Sequence, residues 1–382
     1  MSITTATTSA SAPAPATTRA IFSPIKVGNN NLKHRVVLAP LTRFRASFEA
    51  VPSPLQVEYY KQRATEGGFM ITEGTFIHRL AGGYVQAPGI YNQEQIDAWR
   101  KVTSVVHEKG AFIYLQLWHI GRVGARNLNP NNEQPVGPSA ITVTGTNFYG
   151  SEYEEPHVLT IDEIQEITQQ YRQAALNAIE AGFDGVEIHS ANGYLLDQFI
   201  NSGSNKRTDI YGGSIENRTR FALQVVDAIA GAIGAERTAI RFSPGSSYQD
   251  MEDDTVVETW GYLASQLQEN HPNLSYLHFI EARSGYRQEH YVNSEDSLKP
   301  YRQLWKGPFI SASGFSTNLE HAFDLAEKTG NLISFGRAFI ANPDLVERLR
   351  NGWELNKYDR STFYAHDAHG YLDYPFYNEE KQ

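Results

Sequence analysis

The sequence predicts a single (β/α)8 barrel, on three observations. Eight short apolar, β-rich runs recur at even spacing; from the second onward each follows a stretch of helical period; and polar residues or glycines stand where seven of the eight runs end. A chain of 382 residues suits one such domain, because these barrels routinely exceed the usual domain size. Eight βα units in one chain favour a closed parallel barrel over an open doubly wound sheet, the structural alternative.

Residues 1–20 are rich in Ala, Thr, Ser and Pro and are expected to form a disordered tail, with the barrel domain spanning 21–382. Ile25-Lys26-Val27, a Gly28-Asn29-Asn30 turn and Leu32-Lys33-His34 predict a hairpin at its entrance. The eight strands are expected at Val36–Pro40, Phe69–Gly74, Phe112–His119, Gly185–His189, Thr238–Pro244, Tyr276–Glu281, Phe309–Gly314 and Leu332–Arg337. Thr160–Ala181 is the clearest helix. Ile161, Ile164, Ile167, Tyr171, Ala174, Ala175 and Ala178 fall near one face, Thr160 and Glu163 make a capping box, and Gly182 stands at the C-cap. Residues 120–159 are long and rich in Gly, Asn and Pro. As a capping insertion after the third strand they are expected to hang over the catalytic mouth.

Composition narrows the function. There is no cysteine, which excludes a disulfide framework, a thiolate nucleophile and thiolate metal sites, and fits a reducing, cytoplasmic setting. A net charge of −10 argues against nucleic acid or an anionic membrane as partner, and no apolar run is long enough to cross a bilayer. The expected partner is a small molecule, for a monomer or homodimer. No G-x-G occurs, so there is neither a dinucleotide fingerprint nor a Walker loop, and a tightly held mononucleotide is favoured as redox carrier. His366 and His369 lack a zinc-protease pattern, and no metal is expected.

In such a barrel chemistry gathers at the C-terminal strand ends. Those ends carry Pro40-Leu41-Thr42-Arg43, Thr72-Glu73-Gly74, Gln116 with Trp118-His119, His189, Arg241, Ser313-Gly314 and Gly336-Arg337. Gly314, Gly336 and Arg337, after strands seven and eight, occupy the usual phosphate position, where backbone N–H groups and an arginine fork face an anion. Arg241 on a strand lining the barrel needs a partner: a cofactor that becomes anionic on reduction, or an ion pair with Glu73 or Glu187. His189 and Asn192 can both donate to one carbonyl oxygen, and Tyr194 can supply a proton. Separately, these residues read as a satisfied core histidine and a turn; together they favour function.

With those stretches in place, and with Gly185–Asn201, Arg207–Arg218 and Tyr364 through Tyr371 beside them, the chain resembles the old yellow enzyme family of NAD(P)H:FMN ene-reductases, in its fungal and plant branch, from about Ile21 to Tyr377. The resemblance implies tightly bound FMN, a transient NADPH or NADH, and reduction of the C=C bond of an enone or enal. It implies a flavin site of Pro40, Thr42, Gly74, Gln116, Arg241, Gly314, Gly336 and Arg337: Thr42 near the reactive nitrogen, Gly74 letting the ring pack close, Gln116 and Arg241 at the pyrimidine end, Arg337 on the phosphate. His189 and Asn192 would hold the substrate oxygen, Tyr194 would donate the proton, and Trp118 and Tyr364 would border the pocket. Some relatives carry Phe in place of the tyrosine and isomerise; Tyr194 favours net reduction. The alternatives are a pathway-specific enal reductase or isomerase of secondary metabolism, a flavin-free aldolase-like barrel, for which no strand ends in the needed lysine, and a non-catalytic flavin binder.

Overall fold

The computed structural model describes residues 19–281, 296–312 and 314–377. The expected tail up to residue 18 and Ser313 lie outside them. An antiparallel hairpin, β1 (Ile25–Val27) and β2 (Asn30–Leu32), precedes the barrel. Eight parallel strands then close on themselves: β3 (Val36–Leu38), β4 (Phe69–Phe76), β5 (Phe112–Trp118), β8 (Gly185–Ser190), β9 (Thr238–Phe242), β10 (Tyr276–Ile280), β11 (Phe309–Ala312) and β12 (Leu332–Phe335), with β12 pairing back to β3. The principal outer helices are α1 (Pro54–Arg63), α2 (Gln93–Glu108), α3 (Ile161–Glu180), α5 (Ile215–Ile233), α6 (Val256–Asn270) and α8 (Leu319–Thr329). Shorter helices are α4 (Leu195–Ile200), α7 (Lys299–Leu304), α9 (Arg337–Ala341) and α10 (Leu345–Asn351).

All eight expected strands form, with three informative shifts at their ends. β3 stops before Pro40, which has no N–H to give the ladder. β12 stops at Phe335, and Gly336 and Arg337 instead begin α9. β4 runs on to Phe76 through a register shift between Ile71 and Gly74, a bulge that re-aims the side chains there. The second arm of the hairpin is Asn30–Leu32 rather than Leu32–His34, because the turn takes only Gly28 and Asn29.

Two apolar layers hold the fold. Inside the barrel, Val37, Phe69, Ile71, Tyr114, Ala239, Tyr276, Ile310 and Leu332 pack with Val27 and Leu32, so the hairpin plugs the end where the strands begin. Gly28 has φ +54°, and a Cβ there would lie 2.0 Å from the Glu236 carbonyl oxygen; only glycine fits that approach. Outside, helices cover the strands. α3 carries the expected capping box, with Glu163 N–H donating to Thr160 Oγ1 at 3.2 Å and Thr160 N–H to the Glu163 carboxylate at 2.7 Å. Its expected face is buried from Ile164 onward, but Ile161, in the first turn, is 37% exposed. Between β5 and α3 the chain forms three short 3-10 turns and a two-stranded sheet, β6 (Val136–Gly137) with β7 (His157–Val158).

Candidate active site

Side chains on a strand alternate faces, so the inner apolar layer fixes what lies above it. Two residues beyond Tyr114, Ala239 and Tyr276 come Gln116, Arg241 and His278; Glu187, level with Gln116 on the neighbouring strand, completes that layer. All four are buried. Glu187 is their hub. It accepts from Gln116 Nε2 at 2.8 Å, from Tyr276 OH at 3.0 Å and from His278 Nδ1 at 2.8 Å. Burial works against its charge, yet His278, the Arg241 guanidinium and the Gln116 amide hold it below the ordinary carboxylate range. Of the two carboxylates among the partners expected for Arg241, Glu187 is the one its charge acts on. Glu73 is turned away by the β4 bulge and accepts from Gln56 Nε2 at 2.8 Å, on α1.

His189 stands one layer higher. Burial, then the charges of Arg241 and His278, hold its pKa well below the usual histidine value. The ring is therefore neutral, and its Nδ1 is buried without a hydrogen-bond partner. Just beyond, the chain makes a left-handed turn: Asn192 has φ +59° and Gly193 φ +74°. The Asn192 N–H donates to Ser243 Oγ at 2.7 Å and the Gly193 N–H to Asp197 Oδ2 at 2.8 Å. Tyr194 follows as the N-cap of α4. Its ring lies edge-on to His189 at 5.1 Å and to Trp118 at 5.0 Å. The structure thus gathers His189, Asn192, Tyr194 and Trp118 into one wall.

That wall continues in aromatics. Trp118 stacks between Phe76 and Tyr84, at 5.1 and 5.4 Å. A Cβ at Gly74 would meet the Trp118 ring at 2.6 Å, so in this structure the glycine is required by the indole. Tyr84 leads to Phe44 and to Phe148 of the 120–159 stretch, and both of those reach Tyr364, at 5.4 and 5.3 Å. Tyr364 itself is 39% exposed. It rides on a C-terminal strap that buried arginines clasp. Arg43 donates to the Phe363 and Gly370 carbonyls, each at 2.9 Å, and Arg45 to those of Thr362, Phe363, Asp367 and His369 at 2.9–3.2 Å. Burial and the Arg43 charge pull Arg45 down to about 10, which leaves it charged at neutral pH.

The remaining predicted residues sit on the adjoining rim, where β11, β12 and β3 end side by side. Gly336 packs against Leu41, next to Pro40 and the half-buried Thr42. Gly314 begins a turn whose Ser316 hydroxyl accepts the Ala338 N–H at 3.0 Å, tying that loop to the start of α9. Arg337 donates to Tyr358 OH at 3.2 Å.

Sequence reasoning missed several neighbours. His278 carried a signal, since it falls in phase with the inward Tyr276 on β10, while Glu187 was named only as a possible partner of Arg241. Gln249 carried none: it has φ +60°, packs on Gly193, and holds a buried amide bonded at neither end. Asp197, Ser243, Tyr84 and Phe148 are also brought in only by the fold.

The chain is similar to known proteins over most of its length. The model of the NADH:flavin oxidoreductase / NADH oxidase family matches residues 20–356. A 12-oxophytodienoate reductase 1 of Oryza sativa subsp. japonica is 46% identical over 360 residues, 94% of this chain and 93% of that protein. The flavin oxidoreductase hxnT of Emericella nidulans is 44% identical over 93% of this chain and 97% of that one. A structure of morphinone reductase in complex with tetrahydroNAD superposes with a TM-score of 0.86 at 42% identity, covering 95% of this chain and 99% of the other.

Proposed function

The chain belongs to the NADH:flavin oxidoreductase / NADH oxidase family, the old yellow enzymes, and from that premise we propose how its residues divide the work of an ene-reductase. The protein is an FMN-dependent oxidoreductase that takes its electrons from a nicotinamide and reduces the C=C bond of α,β-unsaturated carbonyl compounds. The observation that carries the residue roles is the neutral, buried His189 with an unpartnered ring nitrogen, set beside the left-handed Asn192 turn.

The residues present fit FMN. A buried cation, Arg241, and an amide oxygen on Gln116 line the inner layer, where an anionic ring edge would be held. Pro40 and Thr42 follow the end of β3, and Gly74 lies on the neighbouring β4. Gly314, Gly336 and Arg337 share the rim, and a phosphate there would meet backbone N–H groups and a guanidinium. FMN, when bound, passes hydride from the nicotinamide to the alkene. His189 and Asn192 donate to the substrate oxygen, drawing charge away from the alkene; a neutral imidazole serves here as a donor without adding a full charge. Tyr194, edge-on to both His189 and Trp118, delivers its proton to the α-carbon, while the β-carbon receives hydride. Trp118 and Tyr364 bound the pocket on two sides, with Phe148 closing between Tyr84 and Tyr364. A monomer or homodimer in the cytoplasm, using NADPH or NADH, is the proposed setting.

The test is an anaerobic visible spectrum. Protein loaded with FMN bleaches when NADPH or NADH is added and regains its oxidised spectrum on adding 2-cyclohexenone. A colourless protein that takes up no added FMN overturns the assignment.

A further inference from the structure

We infer that Asp197, through Gly193 and Ser243, is the positioning residue that sets the aim of the Asn192 donor and of Tyr194. The inference rests on the proposed roles of those two side chains. Asp197 is fully buried, in the first turn of α4. Its Oδ2 accepts the Gly193 N–H at 2.8 Å and the Ser243 hydroxyl at 3.4 Å, and its Oδ1 accepts Asn201 Nδ2 at 2.9 Å. The Ser243 oxygen in turn accepts the Asn192 N–H at 2.7 Å. Both peptide N–H groups of the left-handed turn therefore end at one carboxyl, the first through a serine beyond the end of β9 and the second directly.

A plain helix cap would explain the Gly193 bond alone. It explains neither the burial nor the Ser243 link. Capping is done well by an exposed serine or asparagine, whereas a buried carboxylate carries a desolvation cost of several kcal/mol. Three donors and no acceptor face Asp197, an arrangement that suits the ion. Burial nevertheless pushes its pKa up to about 7, against those hydrogen bonds and with the Asp253 charge adding to the rise. Protonation either reverses the Ser243 bond, so that the new hydrogen competes with the Asn192 N–H for the serine oxygen, or displaces a donor; each loosens the tie to the turn. A raised folded pKa means the ion is the less stable folded form: stability falls as pH rises from the unfolded value near 4 to about 7. The aim of the turn improves as pH rises through that folded value.

Few other groups near α4 change charge there. His189 and His119 are held neutral by burial, His119 down to about 3. Glu187 is held low, and Arg122 donates to the carbonyls of Ile141 and Gln249. Arg218 pairs with Asp253, and Arg207 with Asp209. Glu73 is also pushed up to about 7, but on the far side of β4 against Gln56 and Tyr60.

The experiment is a titration of the oxidised FMN-loaded protein with 2-cyclohexenone, read from the flavin spectrum between about pH 5.5 and 8.5 without any reductant. The wild-type Kd is expected to weaken about ten-fold as pH falls through the Asp197 pKa. Asp197→Asn should bind weakly at every pH, with a flat profile and unchanged FMN content. Ser243→Ala, which leaves the helix cap intact, should weaken binding at high pH by about three-fold. The double variant should be no worse than Asp197→Asn alone. A wild-type pH profile in Asp197→Asn, which would assign the titration to Glu73, overturns the inference, as do additive losses in the double variant. If Asp197→Asn loses FMN or fails to fold, Ser243→Ala decides: wild-type affinity at high pH ends the proposal. Failure of the wild type to bind any enone removes the site roles themselves, and the inference with them.

Discussion

The two ends of this barrel solve the same geometric problem with different residues. Chains that turn between strand and helix often need left-handed backbone. At the end where helices return to strands, every described residue with positive φ is a glycine: Gly67, Gly110, Gly182, Gly234 and Gly330. At the end where strands lead out to helices, left-handed glycines such as Gly83, Gly121, Gly193 and Gly245 are joined by Phe44, Ala50, Gln86, Asn131, Asn132, Asn192, Gln249 and Asp250, each carrying a side chain. The cost of that conformation for a residue with a Cβ is roughly 1–2 kcal/mol. Polar satisfaction divides similarly. The Tyr114 hydroxyl, at the plugged end, reaches both Ser275 Oγ at 2.8 Å and the Glu236 carbonyl at 3.2 Å, and Asn30 Nδ2 is the exception there. The open end leaves His189 Nδ1, Trp118 Nε1 and the Gln249 amide buried without partners. One end is built for stability. The other keeps side chains where glycine would be easier, Asn192 of the proposed site among them.

Substitutions at the two ends should therefore separate stability from turnover. Leu32→Ala, in the plug, should lower unfolding free energy by about 3 kcal/mol while leaving the rate constants of both half-reactions unchanged at 25 °C. Denaturant titration with stopped-flow kinetics checks this, and a loss of rate would blur the division. Tyr194→Phe should do the reverse. Flavin reduction by NADPH stays intact and alkene reduction slows by about 10²-fold, roughly 2.7 kcal/mol of barrel-mouth chemistry, with no loss of stability. Equal slowing of both half-reactions would count against its role as proton donor. A smaller, mirrored pair tests the backbone itself. Gly182→Ala should cost roughly 1–2 kcal/mol of stability with normal turnover, since its Cβ would meet Thr103 Oγ1 at 2.8 Å and its φ is +90°. Asn192→Gly should keep or gain up to ~1 kcal/mol, yet raise the enone KM three- to ten-fold by removing a donor. The smallest effect belongs to the closed end alone. His107, hydrogen-bonded to Asp184 at 3.0 Å, has its pKa raised by that bond. Its stabilisation is complete below the unfolded value near 6.5 and is lost as pH rises through the folded value. His107→Gln should flatten that slope, worth a few tenths of a kcal/mol for so exposed a pair, with no change in the pH dependence of turnover.

This division also explains what could be read from the sequence. Strands buried on both faces give short apolar runs, so all eight were legible, and the polar residues near their ends, His189, Gln116 and Arg241 among them, stood out against those runs. The plug was legible because a Gly-Asn turn announces a hairpin. Less regular features were not. The β4 bulge, which sends Glu73 outward and seats Gly74 under Trp118, leaves no mark in an alternation pattern. Asp197 and Ser243 read as an ordinary helix acid and a loop serine until the fold brings them to one turn. The contacts of Tyr364 with Phe44 and Phe148 join stretches far apart in the chain, where no local periodicity can report them.

The arginine clasp has a consequence for how the molecule is made. Arg43 and Arg45 leave the ribosome early, but the carbonyls that receive them lie about 320 residues later. At ordinary synthesis speeds that interval is roughly 15–60 s. Throughout it the two guanidinium groups lack the Thr362, Phe363, Asp367, His369 and Gly370 carbonyls that take most of their hydrogen bonds. The clasp at the barrel mouth can thus close only after the strap that delivers Tyr364 has been made.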